Sequence, residues 1–296
     1  MMFSWVLFTL MAAFTQAWRN AFQKQLSSTV DSFGVTLSRF IFAFPLALIY
    51  LWWLYTAKPI SEIVVFTSIY WVYIVLAACA QIFATMLMIR LFHQKNYAIG
   101  VGLAKSEAIL AAILGVTFFG EYLSPIAWCG VMLGAFAIYL LSKGGIQNSK
   151  FSWNTFIIGI LSGLFFAITL LFVREATLQL NNLPTIYRAA WVLVCVIGLQ
   201  SILLLLYLTS FKRNTIVKMC ERKGLVLAIS FTSCLASLGW FTAMSMQTAA
   251  IVTTLGQIEM IFSLFISAFF FKEKLVRTDH WGLFWIVIAA IIVIWA

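Results

Sequence analysis

Apolar runs of about twenty residues, separated by short polar breaks, recur along the whole chain. They can be drawn at 4–23, 33–56, 64–89, 98–119, 124–142, 154–173, 185–209, 225–246, 249–271 and 279–296. About 20 apolar residues in a helix cross the hydrocarbon of a bilayer, and backbone polar groups in lipid must be paired internally, so each run predicts a membrane-spanning helix. Five fall on each side of the turn-rich stretch SKGGIQNSKFSWN, which begins at Ser142 and carries Gly144, Gly145 and Asn148. This seam divides the chain into two units, 1–146 and 147–296.

The second unit repeats part of the first. Sliding residues 98–142 forward by 152 positions gives eleven identities in 45, among them Leu103/Leu255, Glu107/Glu259, Phe118/Phe270, Phe119/Phe271, Glu121/Glu273 and Gly130/Gly282. Because five is odd, two similar halves of five spans enter the membrane from opposite faces and become inverted repeats. The predicted fold is an all-α polytopic membrane protein with ten transmembrane helices in two inverted five-helix repeats. Such an arrangement brings matching residues together near mid-depth.

Composition supports the same solvent: 64% of residues are hydrophobic and 9% charged, far from the balance of soluble domains. The net charge of +10 does not point to nucleic acid, because the loops hold most of it. Lys24, Arg90, Lys95, Lys143, Lys150, Lys212, Arg213, Lys218, Arg222, Lys223, Lys272, Lys274 and Arg277 share one face. Lys58 and Arg174 are the loop cations of the other. The positive-inside rule then puts both termini outside. The first apolar run has no Lys or Arg before it, against a secretory signal. Cys79, Cys129, Cys195, Cys220 and Cys234 fall singly, and His93 and His280 have no companions at metal spacing, so no disulfide framework, metal site or cofactor is expected. Trp5, Trp52, Trp53, Trp71, Trp153, Trp281 and Trp295 near the run ends predict an aromatic belt.

The segment KSEAILAAILGVTFFGEYLSPIAWCGVMLGAFAIYLLS resembles the signature of the drug/metabolite transporter superfamily, ten-helix EamA branch. Glu107, Gly120-Glu121, Gly130, Gly134 and Tyr139-Leu140-Leu141 carry the likeness, and Glu259, Glu273 and Gly282 repeat it. Arg39 and Arg188 match the Arg that the family tends to carry near the starts of helices two and seven. The resemblance implies a transporter of a small metabolite, often an exported amino acid or related compound, and termini in the cytoplasm, against the charge distribution. The family's proline in helices four and nine is replaced by Ala108 and Met260. The backbone there keeps its hydrogen bond, so no proline kink is expected.

Ionisable groups at mid-bilayer cost about 2.5–3.5 kcal/mol on insertion scales and usually face a cavity with a partner. Lys105, Glu107 and Glu259 are central in their spans. In a regular helix Lys105 and Glu107 point about 200° apart and cannot pair locally, so each needs a partner on another helix. The expected binding set for substrate or proton is Lys105, Glu107, Gln257 and Glu259, with Gln81, Trp240, Gln16, Arg39 and Arg188 as further candidates and Arg19 beside Gln16 on helix one. Lys105, with Gln257 at the matching position, is expected to face the polar cavity. Packing inside the bundle, as protonated and hydrogen-bonded groups or as interhelical ties, is the alternative for these residues, except that Arg39 and Arg188, toward helix ends, can instead snorkel to the headgroups. Gly130/Gly134 and Gly159/Gly163 let helix backbones approach closely, within one chain or across a homodimer.

No HExxH, Walker-type loop or GxSxG is present, and the longest loop, near residues 210–224, is too short for a nucleotide site. The expectation is therefore a secondary active transporter of the cytoplasmic membrane, not an enzyme. It moves a small polar or zwitterionic metabolite by alternating access, with protons as a coupling ion and the lipid bilayer as its other partner. A flippase or exporter of lipid-linked or amphipathic molecules, and a non-transporting scaffold or sensor, are the alternatives.

Overall fold

The computed structural model describes residues 4–94, 104–146, 153–272 and 277–295. Most of the predicted linker, residues 147–152, lies outside them, as do Lys95, Glu273 and Lys274 and the side chains of His93 and His280. The described residues are helical, without strands, in the order α1 (Ser4–Ser27), α2 (Ser32–Ser38), α3 (Ala43–Ala57), α4 (Ser68–Gln94), α5 (Glu107–Phe118), α6 (Pro125–Ile146), α7 (Trp153–Gln179), α8 (Thr185–Phe211), α9 (Arg213–Glu221), α10 (Lys223–Met244), α11 (Ala249–Gly256), α12 (Glu259–Phe269) and α13 (Arg277–Ile294).

Among the described residues, six stretches are long and apolar enough to cross a membrane: Ser32–Ala57, Ser68–Phe92, Trp153–Gln179, Thr185–Phe211, Lys223–Met244 and Ala249–Phe269. Three more apolar helices are shorter: Glu107–Phe118, Pro125–Leu140 and Trp281–Ile294. The chain is a multi-pass membrane protein. Helix α1 is less apolar because it carries Gln16, Arg19, Asn20 and Gln23, at the spacing of one helix face. Arg19, Asn20 and Gln23 are fully buried, so this polar face turns into the protein. The short helix α9, which presents Arg213 and Lys218 to solvent, occupies the loop predicted near 210–224.

Three of the predicted spans are broken. Helices α2 and α3 are separated by a turn at residues 39–42. Pro45 removes an N–H and its ring excludes the Ile41 carbonyl, which disfavours continuous helix. Ser230 of α10 fills the gap: its hydroxyl accepts from the Phe42 N–H at 3.3 Å and donates to the Ser38 carbonyl at 2.6 Å. A side chain thus stands where the bond from residue 42 to residue 38 would lie, a recognised cause of a kink.

The breaks in spans four and nine correct the expectation of unkinked helix. Lys105 and Ser106 form a turn before α5, and Gln257 and Ile258 one between α11 and α12. Hydrogen bonds tighten to three-residue spacing there: Gln257 N–H to the Thr254 carbonyl (3.2 Å), Met260 to Gln257 (2.8 Å) and Ala108 to Lys105 (3.3 Å). Proline is unnecessary because neighbours hold both turns. A methyl on Gly163 of α7 would stand 2.1 Å from Ser106 Oγ and 3.0 Å from both the Ala104 carbonyl oxygen and the Glu107 nitrogen. Only a glycine lets the first turn sit so close to α7. At the second turn, the Trp240 ring lies against Gly256, and Gln257 against Gly134 of α6. These glycines therefore work within one chain.

The helices pair α1 with α10, α4 with α7, α3 with α8, α5 with α11 and α6 with α13. In span order this joins one with eight, three with six, two with seven, four with nine and five with ten. Exchanging the two halves sends every pairing onto itself or onto another of the set.

Connections also meet. Asp31, before α2, accepts from Lys212, before α9, at 2.7 Å. Asn182, after α7, donates to the Ile63 carbonyl, before α4, at 2.8 Å. Arg174 does not act as a free loop charge. It lies in α7, where it pairs with Glu121 at 2.8 Å and donates to the Met244 carbonyl at 2.9 Å. Glu121 in turn accepts from the Ala249 N–H at 3.1 Å, so the pair fastens the entrance of α11. Trp52, Trp53, Trp71, Trp153, Trp281 and Trp295 are exposed, whereas Trp5 is buried in the core. All five cysteines are free.

Candidate functional site

The two broken spans deliver one charged cluster. Lys105 Nζ lies 3.0 Å from Glu107 Oε1 and 2.6 Å from Glu259 Oε2. Glu259 also accepts from Gln16 Nε2 and Asn20 Nδ2 of α1, each at 2.7 Å. Lys105, Glu107 and Glu259 are 4%, 5% and 0% exposed, which makes this a buried triad in contact between the repeats. The local pairing of Lys105 with Glu107 corrects the expectation of opposite faces. That geometry assumed an unbroken helix, and the turn at residues 105–106 removes the 100° step between successive side chains.

Desolvating each ion costs several kcal/mol, so such a cluster persists only when its charges are paired and its remaining oxygens are hydrogen-bonded. Glu259 meets that condition most fully. It is the repeat mate of Glu107, yet the two environments differ: Glu107 borders open space, whereas Glu259 is enclosed by α1.

That open space is a cavity lined by Gln16, Arg39, Gln81, Glu107 and Trp240, all expected site residues, together with Ser237 and an apolar wall of Phe166, Leu170 and Phe241. Its volume is about 20 Å³, room for about one water. The space is therefore far smaller than a metabolite.

Its polar lining is cross-braced. Trp240 Nε1 donates to Gln16 Oε1 at 2.9 Å, and its ring lies 5.7 Å from Lys105 Nζ. Arg39 Nη1 donates to Thr85 Oγ1 at 2.7 Å. Gln81 Oε1 accepts from Gln200 at 2.8 Å. Arg19 donates to Asn20 Oδ1 through Nε (3.2 Å) and Nη2 (2.9 Å), which orients the amide that bonds Glu259.

Two expected residues lie elsewhere. Gln257 packs on Gly134 with its Oε1 unpartnered, so it does not accompany Lys105 toward the cavity; Lys105 itself is held between the carboxylates. Arg188 caps the turn before α8 through the Leu183 and Asn181 carbonyls. Asn20, Thr85 and Gln200 join the site without having been anticipated. Asn20 could have been found by its spacing of four from Gln16. Thr85 and Gln200 carry no such signal.

A helical membrane protein with two repeats, broken spans and a buried polar cavity between them has the organisation of a transporter. The family model of the EamA-like transporter family matches residues 3–143 and again 153–295, and the chain belongs to that family. Its members are transporters, not enzymes. No curated protein matches the chain in sequence. A solved crystal structure, described only as that of a protein, aligns with a TM-score of 0.69 over 98% of this chain and 96% of that one. Its sequence identity of 14% restricts the likeness to fold.

Proposed function

We propose that this chain is a ten-helix secondary transporter of the cytoplasmic membrane, built from inverted repeats 1–146 and 147–296, that moves a small polar or zwitterionic metabolite by alternating access. The observation that carries this reading is the narrow polar cavity beside a triad to which each repeat contributes its matched glutamate. Inversion is supported by the connections that meet. Asp31 follows span one and Lys212 follows span seven, whereas Ile63 and Asn182 follow spans two and six. Odd connections meet odd and even meet even, as a chain that crosses at every span requires. The exchange symmetry of the helix pairings supports a two-fold relation between the halves.

Lys105 belongs to one repeat and Glu259 to the other, so their contact ties the repeats at the cavity. Opening requires the repeats to rock apart, and a solute or proton that takes over part of this pairing lowers the cost of doing so. A ligand can shift the equilibrium only by its difference in affinity for the two states, and a competitor for the triad has such a difference. The breaks at residues 39–42, 105–106 and 257–258 supply places where backbone can bend without losing whole helices.

The test is solute counterflow in liposomes holding the purified chain, with substrates chosen from a metabolite panel by rise in melting midpoint. Glu107→Gln and Glu259→Gln are expected to abolish transport or its pH dependence. Unaltered transport in both would remove the carboxylates from the mechanism. A protein that moves no member of a broad panel while binding a partner protein tightly would overturn the transporter reading.

A further inference from the structure

The cations around the cavity are not equivalent. Lys105 is held by two carboxylates at 3.0 and 2.6 Å. Arg39 is 2% exposed and borders the same cavity, yet among the described residues it makes no ion pair. One of its nitrogens donates to Thr85, and its Nε is buried with no partner. Arg19, Glu107 and Glu259 are the charged groups that face it electrostatically. Arg19 repels it, while the two acids already accept from Lys105, and Glu259 also from Gln16 and Asn20. A guanidinium carries five N–H donors and stays charged at any working pH. Lys105 balances one of those two carboxylate charges, so the triad offsets Arg39 at a distance, and the Phe40 ring lies 5.3 Å from its guanidinium carbon, but neither supplies an acceptor for its remaining N–H donors.

We propose that Arg39 is the anchor for an anionic group on the transported solute, so that the cavity selects organic anions with a carboxylate or phosphate head. The inference rests on the transporter reading and adds the substrate class. A planar oxyanion matches the guanidinium fork through two parallel N–H···O bonds. Arg39 is positioned for this by the break between α2 and α3: the turn at residues 39–42 places it inside the bundle, where its side chain reaches the cavity instead of the headgroups. The Phe166, Leu170 and Phe241 wall accommodates the organic remainder of the solute, and Gln16 and Gln81 add polar contacts beside the head group. The cavity has room for only about one water, so docking of the anion accompanies its widening.

The experiment is a thermal shift of the full chain in detergent with two head-group series, one built on methyl and one on phenyl. Each contains the carboxylate, the phosphate monoester, the amide and the amine. The carboxylate or phosphate of at least one series is expected to raise the midpoint in proportion to log concentration, and the matched amide and amine are not. Which anion acts separates carboxylate from phosphate recognition. Arg39→Gln should remove the response, and Arg39→Lys, which keeps charge but loses the fork, should weaken it about tenfold. If Arg39→Gln fails to fold, Thr85→Val serves, since it frees the guanidinium without removing it and should weaken anion binding while leaving selectivity intact. Equal shifts with amide or amine, an anion response that survives Arg39→Gln, or no shift with any anion would overturn the proposal. If neutral or cationic solutes are transported and anions are not, the transporter reading stands and the anion site falls. If anions bind but cross no liposome, the reverse holds.

Discussion

Replacing Lys105 by methionine keeps most of the side chain's volume and leaves two carboxylates without their shared cation. At an effective dielectric of about 20, the contacts of 3.0 and 2.6 Å are each worth roughly 5–6 kcal/mol of attraction. Burial of three ions takes back most of that sum, at several kcal/mol per ion. The substitution forfeits the attraction but not the burial of Glu107 and Glu259, so the expected loss of stability is about 3–5 kcal/mol. At about 2–4 °C per kcal/mol, the melting midpoint in detergent should fall by about 6–20 °C. Neutralising the acids as well, in Lys105→Met/Glu107→Gln/Glu259→Gln, removes every charge of the triad and should recover most of the loss, because a buried ion cluster replaced by neutral groups of similar volume is often neutral or stabilising. Transport should stay absent in the triple variant although its fold is restored, which separates the triad's function from its structural cost. A Lys105→Met protein that melts with the wild type, or a triple variant that melts below the single one, would refute the reasoning.

Ser230→Ala removes the hydroxyl that serves both Phe42 N–H and the Ser38 carbonyl, leaving a part-buried N–H and a buried carbonyl unmet at about 1–3 kcal/mol; a lowered midpoint, with Ser230→Thr retaining more stability than Ala, checks it. Gly163→Ala drives a methyl into Ser106 Oγ and the backbone of the turn at 105–106, and should cost about 1–3 kcal/mol by overpacking, measured as a fall in melting midpoint together with weakened substrate binding. Gly120 has φ +64 with open space around its missing side chain, so Gly120→Ala should lose about 1–2 kcal/mol from backbone strain alone, again read from the melting midpoint. Burial alone would raise the Asp31 carboxyl, but the Lys212 ammonium and the Gly34 amide outweigh it and hold it below the ordinary carboxylate value. A depressed folded value means that the stabilisation is full above about pH 4 and lost as pH falls through the folded value. Asp31→Asn should therefore lower the midpoint at neutral pH by the equivalent of under about 1 kcal/mol, for a pair this exposed, and converge with wild type in acid.

The apolar runs and the 152-residue repeat made the helical membrane fold legible, because lipid leaves the backbone few choices and a duplication preserves its glutamates in register. Lys105, Glu107 and Glu259 were legible as site candidates for a related reason: an ionisable group inside an apolar run is costly enough to need a use or a partner. Their partners were not legible. The pairing of Lys105 with Glu107 depends on a turn that no proline announces and that Gly163, more than fifty residues later, permits. Arg39 and Arg188 look alike as matched arginines near two helix starts, yet one lines the cavity and the other caps a turn. Ser230 is one of many serines in apolar runs until α10 is packed against the gap in span two.

By itself the sequence determined where chain must be helical, that two units repeat, and which few charges must be accounted for inside the bilayer. These follow from the cost of exposing backbone and charge to lipid, which is paid locally and so is written locally. The tertiary structure alone decided where the helices break, which cation pairs with the carboxylates and which lines the cavity. Each of those depends on atoms contributed by segments distant in the chain, whose meeting no local pattern encodes.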